Sequence, residues 1–224
     1  MNETAASAAN VASAWIDALI ASNRGDRHAF AYAEKRYSYQ DVAALMNRAA
    51  NMLRALGLQP AARVLLLIPG SPALVASLLG SMKSGAVPIV GVPLDDPESL
   101  RRCIDAASPA AAVVHQDCLG ASAGALAGLP AQEAVIVVGK DTRGRKSFID
   151  EIRGQSSWSA PEPVGRDAPA IGIWAGSTLH ELSHGELFAA IAGPEASQDP
   201  RTDSIRPLTE MLRAFSKGEP ATLP

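Results

Sequence analysis

The alternation of apolar and polar positions divides the chain into a series of short helices and strands. Residues 9–23 place Val11, Trp15, Ile16, Leu19 and Ile20 at helical spacing, which predicts an amphipathic opening helix. A strand from His28 to Ala33 and a turn at Glu34-Lys35-Arg36 are expected next. Ser38 then stands where it can cap a helix running to about Leu56, and Gly57 supplies the left-handed end. Arg63 to Ile68 is an almost unbroken apolar run, the pattern of a strand buried on both faces of a parallel sheet. Ser71 or Pro72 opens a helix that stops near Gly85. Beyond it, strands are expected at 89–92, 110–115 and 134–138, interleaved with helices at 97–107, 119–129 and 148–153.

Connections this short between strands and helices leave room for little but βαβ crossovers. The expected fold class is therefore α/β, a mainly parallel sheet flanked by helices, carried by residues 1–153 as one unit. Between 154 and 169 the composition shifts to Ser, Pro, Glu and Gly, which reads as a linker. Residues 170–193 are expected to add a strand, Ala170 to Trp174, and a helix, Leu179 to Ala192. The Pro-rich stretch 194–224 holds one helical segment at 208–216, and its last eight residues are expected to be disordered.

Composition narrows the function classes. The 224 residues can bury a sizeable core, and apolar residues make up 47% with aromatics only 4%, a mixture suited to helices packed closely on a sheet. A net charge of −3 and dispersed basic residues speak against a nucleic-acid partner. The most apolar region, Val64 to Leu94, is interrupted by Pro69-Gly70-Ser71-Pro72 and by Lys83, so no membrane span is expected. Met1-Asn2-Glu3 lacks the basic start of a secretory signal, so the expected location is cytoplasmic. Cys103 and Cys118 form no CxxC pair and have no His or Asp partner nearby in a catalytic pattern.

Four features occur in order between Gly25 and Pro97: Tyr37-Ser38-Tyr39, the helix after it, the Arg63-Val64 strand, and Lys83-Ser84-Gly85-Ala86-Val87-Pro88. In wording and spacing this stretch resembles the N-terminal part of adenylate-forming, AMP-binding acyl- and aryl-CoA ligases, nearest to benzoate-CoA ligases. The resemblance implies the N-terminal α/β subdomain of such enzymes, with ATP or AMP and magnesium as cofactors. It also implies a glycine-rich phosphate loop ending in Gly-x-Pro-Lys, whose backbone N–H groups and lysine hold the nucleotide phosphates.

The matching place here is Asp167 to Thr178, so Gly176, Ser177, Thr178 and the later His184 form a vestigial phosphate loop. The chain passes from Thr178 through Leu179-His180-Glu181 without the lysine or the later glycines. Family members run to twice this length or more, and the resemblance places the adenine pocket, catalytic acids and mobile lid in the part without counterpart. The expected role is thus a non-catalytic binding, regulatory or assembly module. Its expected partners are another protein, a second copy, or an acyl or aryl ligand. The alternative is half of a split ligase completed by a partner chain.

One further motif stands apart. His180-Glu181-Leu182-Ser183-His184 satisfies HExxH, and on a helix both imidazoles would share a face for zinc with Glu181 as base. Glu195, Asp199, Asp203 and Glu210 are the candidates for a third ligand. The plainer reading is an ordinary helix N-terminus with no metal; a zinc-dependent hydrolase is the alternative.

Overall fold

The computed structural model describes residues 9–129, 134–192 and 200–224. The chain opens with a helical stretch in which Ser13–Asp17 winds as a π-helix and Ala18–Ala21 (α1) as an α-helix. Val11, Trp15, Ile16 and Leu19 are buried, the face their spacing predicts. A hairpin follows, with β1 (His28–Tyr32) antiparallel to β2 (Lys35–Ser38) and Tyr32 opposite Lys35. The reversal is therefore Ala33-Glu34, with Ala33 at φ 48. Lys35 and Arg36, expected in the turn, lie in β2, because the left-handed Ala33 lets two residues close the hairpin.

Ser38 caps α2 (Tyr39–Ala55). Its hydroxyl accepts from the Asp41 N–H at 3.2 Å, and the Asp41 carboxylate accepts from the Ser38 N–H at 2.9 Å, a reciprocal capping box. From β3 (Arg63–Leu67) the chain enters α3 (Pro72–Lys83), started by Ser71, whose Oγ accepts from the Leu74 N–H, and by Pro72 in the first turn. After β4 (Val87–Val90), Asp96 accepts from the Glu98 and Ser99 N–H groups to start α4 (Pro97–Ala107). There follow β5 (Ala111–His115), α5 (Leu119–Leu126), β6 (Val135–Val138), β7 (Lys146–Ser147) and α6 (Phe148–Arg153). The later elements are β8 (Pro169–Ala175), β9 (Thr178–Ser183), α7 (His184–Ala192), α8 (Pro200–Asp203) and α9 (Arg206–Lys217).

Seven strands form one sheet in the order β7-β6-β5-β3-β4-β8-β9. Its neighbours pair in parallel, except β8 with β9, which are antiparallel. The fold class is the α/β class the sequence predicts. Alternate residues of β3 feed the two faces. Val64 and Leu66 join a core with α2, α3 and α9, whereas Leu65 and Leu67 join a second core with α4 and α5. Small residues set the spacing of the first layer: a Cβ added at Gly80 of α3 would lie 2.6 Å from Ala49 of α2.

The stretch 154–169 has no helix or strand before Pro169, but it is fastened along α2. Asn47 donates to the Ser157 carbonyl at 2.7 Å, Asn51 to Ser156 and Trp158, and Arg54 to Ala160, so one face of α2 holds successive carbonyls. It returns the chain to the same sheet, where β8 pairs with β4.

Two expectations fail near the C-terminus. The last eight residues, expected to be disordered, are tied down: the Ala221 N–H donates to Ala29 at 2.7 Å, Tyr39 donates to the Glu219 carbonyl at 2.7 Å, and Leu223 packs on the core. Backbone pairing beside β1 and a buried tyrosine supply the ordering that composition alone did not predict. The helix expected from Leu179 begins only at His184, since Thr178–Ser183 is strand β9. Among the described residues no helix is long and apolar enough to cross a membrane.

Candidate functional site

Where β3 and β4 end, the chain leaves the sheet in opposite directions. β3 leads to α3 on one face, and β4 leads to α4 on the other. Adjacent parallel strands that diverge in this way leave a crevice beyond their carboxyl ends, the usual ligand position of open α/β sheets. Here it measures about 380 Å³. Leu66, Ile68 and Leu74 form one wall, Val90 and Val92 another, and Ile205 and Leu208 of the α9 region close it.

Two glycines shape this crevice. Gly91 holds φ +86, and a Cβ there would lie 2.7 Å from the Trp174 carbonyl oxygen and 3.2 Å from Ile205. Gly70 lets Pro224 lie directly against the backbone, where a Cβ would collide with the Pro224 carbonyl. The approach of Ile205 and Pro224, from segments more than a hundred residues away, gave no local sequence signal. The signals that could be read were Pro69-Gly70 and Gly91 at the ends of two apolar strands.

The vestigial phosphate loop takes a different form from the one expected. Ala175 pairs with Thr178, leaving Gly176 and Ser177 as a two-residue reversal between β8 and β9. Their φ values of 55 and 81 are both left-handed, as a type I′ hairpin turn requires. Thr178 is the first residue of β9, so these three residues do not open a helix.

His180 and Glu181 lie on strand β9 and His184 opens α7. Residues four apart in extended chain are about 13 Å apart rather than stacked on one helical face, which separates the two imidazoles of HExxH. Glu181 is bonded through Oε1 to the Arg63 guanidinium at 2.9 Å, and His180 lies opposite Ile173. His184 is 1% exposed; its Nδ1 accepts the Val11 N–H at 3.2 Å, and its Nε2 has no partner among the described residues. Burial lowers its pKa to about 4, so the ring is neutral and serves to dock the opening helix. Of the proposed third ligands, Glu195 and Asp199 lie outside the described residues, Asp203 pairs with Arg206, and Glu210 is exposed. Among the described residues no group of three His, Cys, Asp or Glu side chains could hold a metal ion. The helical premise of the zinc hydrolase therefore fails.

A second cleft, of about 630 Å³, lies between the opening helix, α2 and the 157–161 strand-free segment. At its base Lys83, 2% exposed, donates to both carboxylate oxygens of Asp17 at 2.8 and 2.7 Å and to Asn47 Oδ1 at 2.6 Å. Burial lowers the lysine pKa, against the opposing pull of Asp17. This ion pair, between positions 66 apart, was not foreseen from the sequence. Both cysteines are buried, and burial raises both thiols, that of Cys103 to about 12.

Comparison with known proteins agrees with this fold. The family described as AMP-binding enzyme matches residues 19–178. A 3-hydroxybenzoate–CoA ligase of Aromatoleum sp. (strain CIB) is 29% identical over 182 residues, covering 79% of this chain and 34% of that protein. The 4-coumarate–CoA ligase 5 of Oryza sativa subsp. japonica is 32% identical over 162 residues, covering 69% of this chain and 29% of its own. Among solved structures, the anthranilate CoA ligase AuaEII in complex with anthranoyl-AMP superposes with a TM-score of 0.82. That likeness, at 19% identity over 95% of this chain and 44% of that one, is one of fold. The chain spans about a third of the length of these curated relatives.

Proposed function

The chain belongs to the AMP-binding enzyme family, and on that premise we propose that it binds an aryl or acyl group without adenylating it by itself. One observation carries this reading: a two-residue hairpin turn, Gly176-Ser177, stands where the family's phosphate loop belongs. The family's chemistry calls for ATP and magnesium, and a triphosphate needs a concave row of N–H donors and countercharge. Residues 170–192 contain no lysine or arginine, and a closed two-residue turn offers no such cradle. The residues present at this position do not fit the nucleotide.

The ligand class is supported by the apolar crevice at the ends of β3 and β4 and by the relatives' names. Those names specify 3-hydroxybenzoate, 4-coumarate and anthranilate, all of them aryl acids. A second reading, in which a partner chain completes the site of a split ligase, is supported by the match to a ligase family at a position whose own residues do not fit the nucleotide. A protein partner or a second copy would then supply the nucleotide-binding groups.

Thermal-shift and calorimetric titrations test the proposal with Mg·ATP, AMP, benzoate, benzamide and methyl benzoate. A ligand at a hundredfold excess over its dissociation constant stabilises the native state by about 2.7 kcal/mol. A response to at least one aryl compound and none to Mg·ATP or AMP is expected. A clear rise in melting temperature with either nucleotide would overturn the loss of adenylation and favour the split ligase.

A further inference from the structure

We infer that the crevice at the ends of β3 and β4 selects an uncharged aryl group, such as an amide, ester or thioester, over a free aryl carboxylate. The inference deepens the aryl-binding reading and rests on it. Its basis is the lining. Each of the thirteen described residues around the crevice is Leu, Ile, Val, Pro or Gly, so among the described residues no side chain there can donate a hydrogen bond or supply positive charge. A carboxylate taken from water into such surroundings loses its hydration and gains no side-chain partner, which favours the neutral analogue.

The nearby charges reinforce the preference. Leu94 at the rim is 38% exposed and is followed directly by Asp95 and Asp96, so an approaching anion meets like charge there; Glu98 beyond them is paired with Arg101 and Arg102. Arg206 lies in sequence between the lining residues Ile205 and Pro207, but its guanidinium is bonded to Asp203 at 3.0 Å. The buried ammonium of Lys83 belongs to the other cleft, shares no lining residue with this one, and is held by Asp17 and Asn47. A ligase that activates a free acid must hold the carboxylate oxygens in place. A crevice that rejects them suits the neutral carbonyl of an aryl thioester, amide or ester.

The test is isothermal titration of the full chain at pH 7 with benzoate, benzamide and methyl benzoate, which present the same ring and differ at the carbonyl. Benzamide and methyl benzoate are expected to bind about tenfold or more tightly than benzoate. Benzoate binding as tightly as benzamide would overturn the selectivity and leave the aryl-binding reading standing. No heat or melting shift from any of the three would overturn that reading and the inference with it. A rim variant, Leu94→Arg, fixes the location, since a partly exposed position accepts the change without loss of core. It is expected to raise benzoate affinity several-fold relative to that of benzamide, read as the ratio of the two dissociation constants. Equal effects on both compounds, or none on benzoate, would place the ring elsewhere and refute the assignment.

Discussion

Lowering the pH should undo the docking of the opening helix through a single imidazole. His184 is 1% exposed and accepts the Val11 N–H on Nδ1, so protonation there would set a donor against a donor. Its pKa falls from 6.5 to about 4 on folding, with burial as the cause. The neutral form is thus the one the native state prefers, and its contribution is fully present above about pH 6.5. As the pH drops from 6.5 toward 4, the unfolded chain takes up the proton and the native state does not. Stability then declines by about 1.4 kcal/mol per pH unit, to a total of roughly 3 kcal/mol. Urea unfolding at intervals from pH 7 to pH 4, on the wild type and His184→Asn, measures this. Asn retains an acceptor near the Nδ1 position and cannot titrate in this range. The wild-type curve should fall more steeply, with the gap between the two growing by roughly 3 kcal/mol across the window. Parallel curves would refute the assignment of the loss to His184.

Two other substitutions test the description of the fold. Ser177→Gly places at φ 81 the residue that this conformation favours, and should stabilise by about 0.5–1 kcal/mol, read as a rise in melting temperature of about 2 °C. Lys83→Met removes the cation from Asp17 and Asn47 and should cost about 2 kcal/mol in urea unfolding. The figure sits below that of a fully buried pair because the Asp17 side chain is 33% exposed. Removing the carboxylate as well, in Lys83→Met with Asp17→Ala, should recover part of that loss.

Much of the sheet could be read from the sequence because its signals are local. The apolar run Val64 to Leu67 lies within β3, and Ser71-Pro72 starts α3 with the side chain and ring that composition suggests. What escaped was the two-residue β7 and, with more consequence, β9. Leu179 and Leu182 are three apart and fit a helical face as well as a strand, so periodicity could not decide between them. Gly176-Ser177 between two apolar stretches was a legible hairpin signal, obscured by the expectation that a phosphate loop leads into a helix. The chemistry of the crevice was less accessible still. Its walls come from residues 66–94, 205–208 and 224, and they meet only because the chain leaves β3 and β4 toward opposite faces and the C-terminal segments return over the gap. The Lys83–Asp17 pair likewise depends on α3 meeting the opening helix, a long-range contact with no motif of its own.

The Gly176-Ser177 reversal also makes the protein a host for insertion. Strand pairing from Ile171–Leu182 to Ala175–Thr178 holds both stems in register whatever joins them. Chain closure grows slowly with length, so replacing two residues by a flexible segment of about ten would cost roughly 1.5 kcal/mol. Grafting a glycine-rich, lysine-bearing segment at this tip would thus ask, in one molecule, how much nucleotide affinity a loop can confer on a scaffold that already has the surrounding sheet.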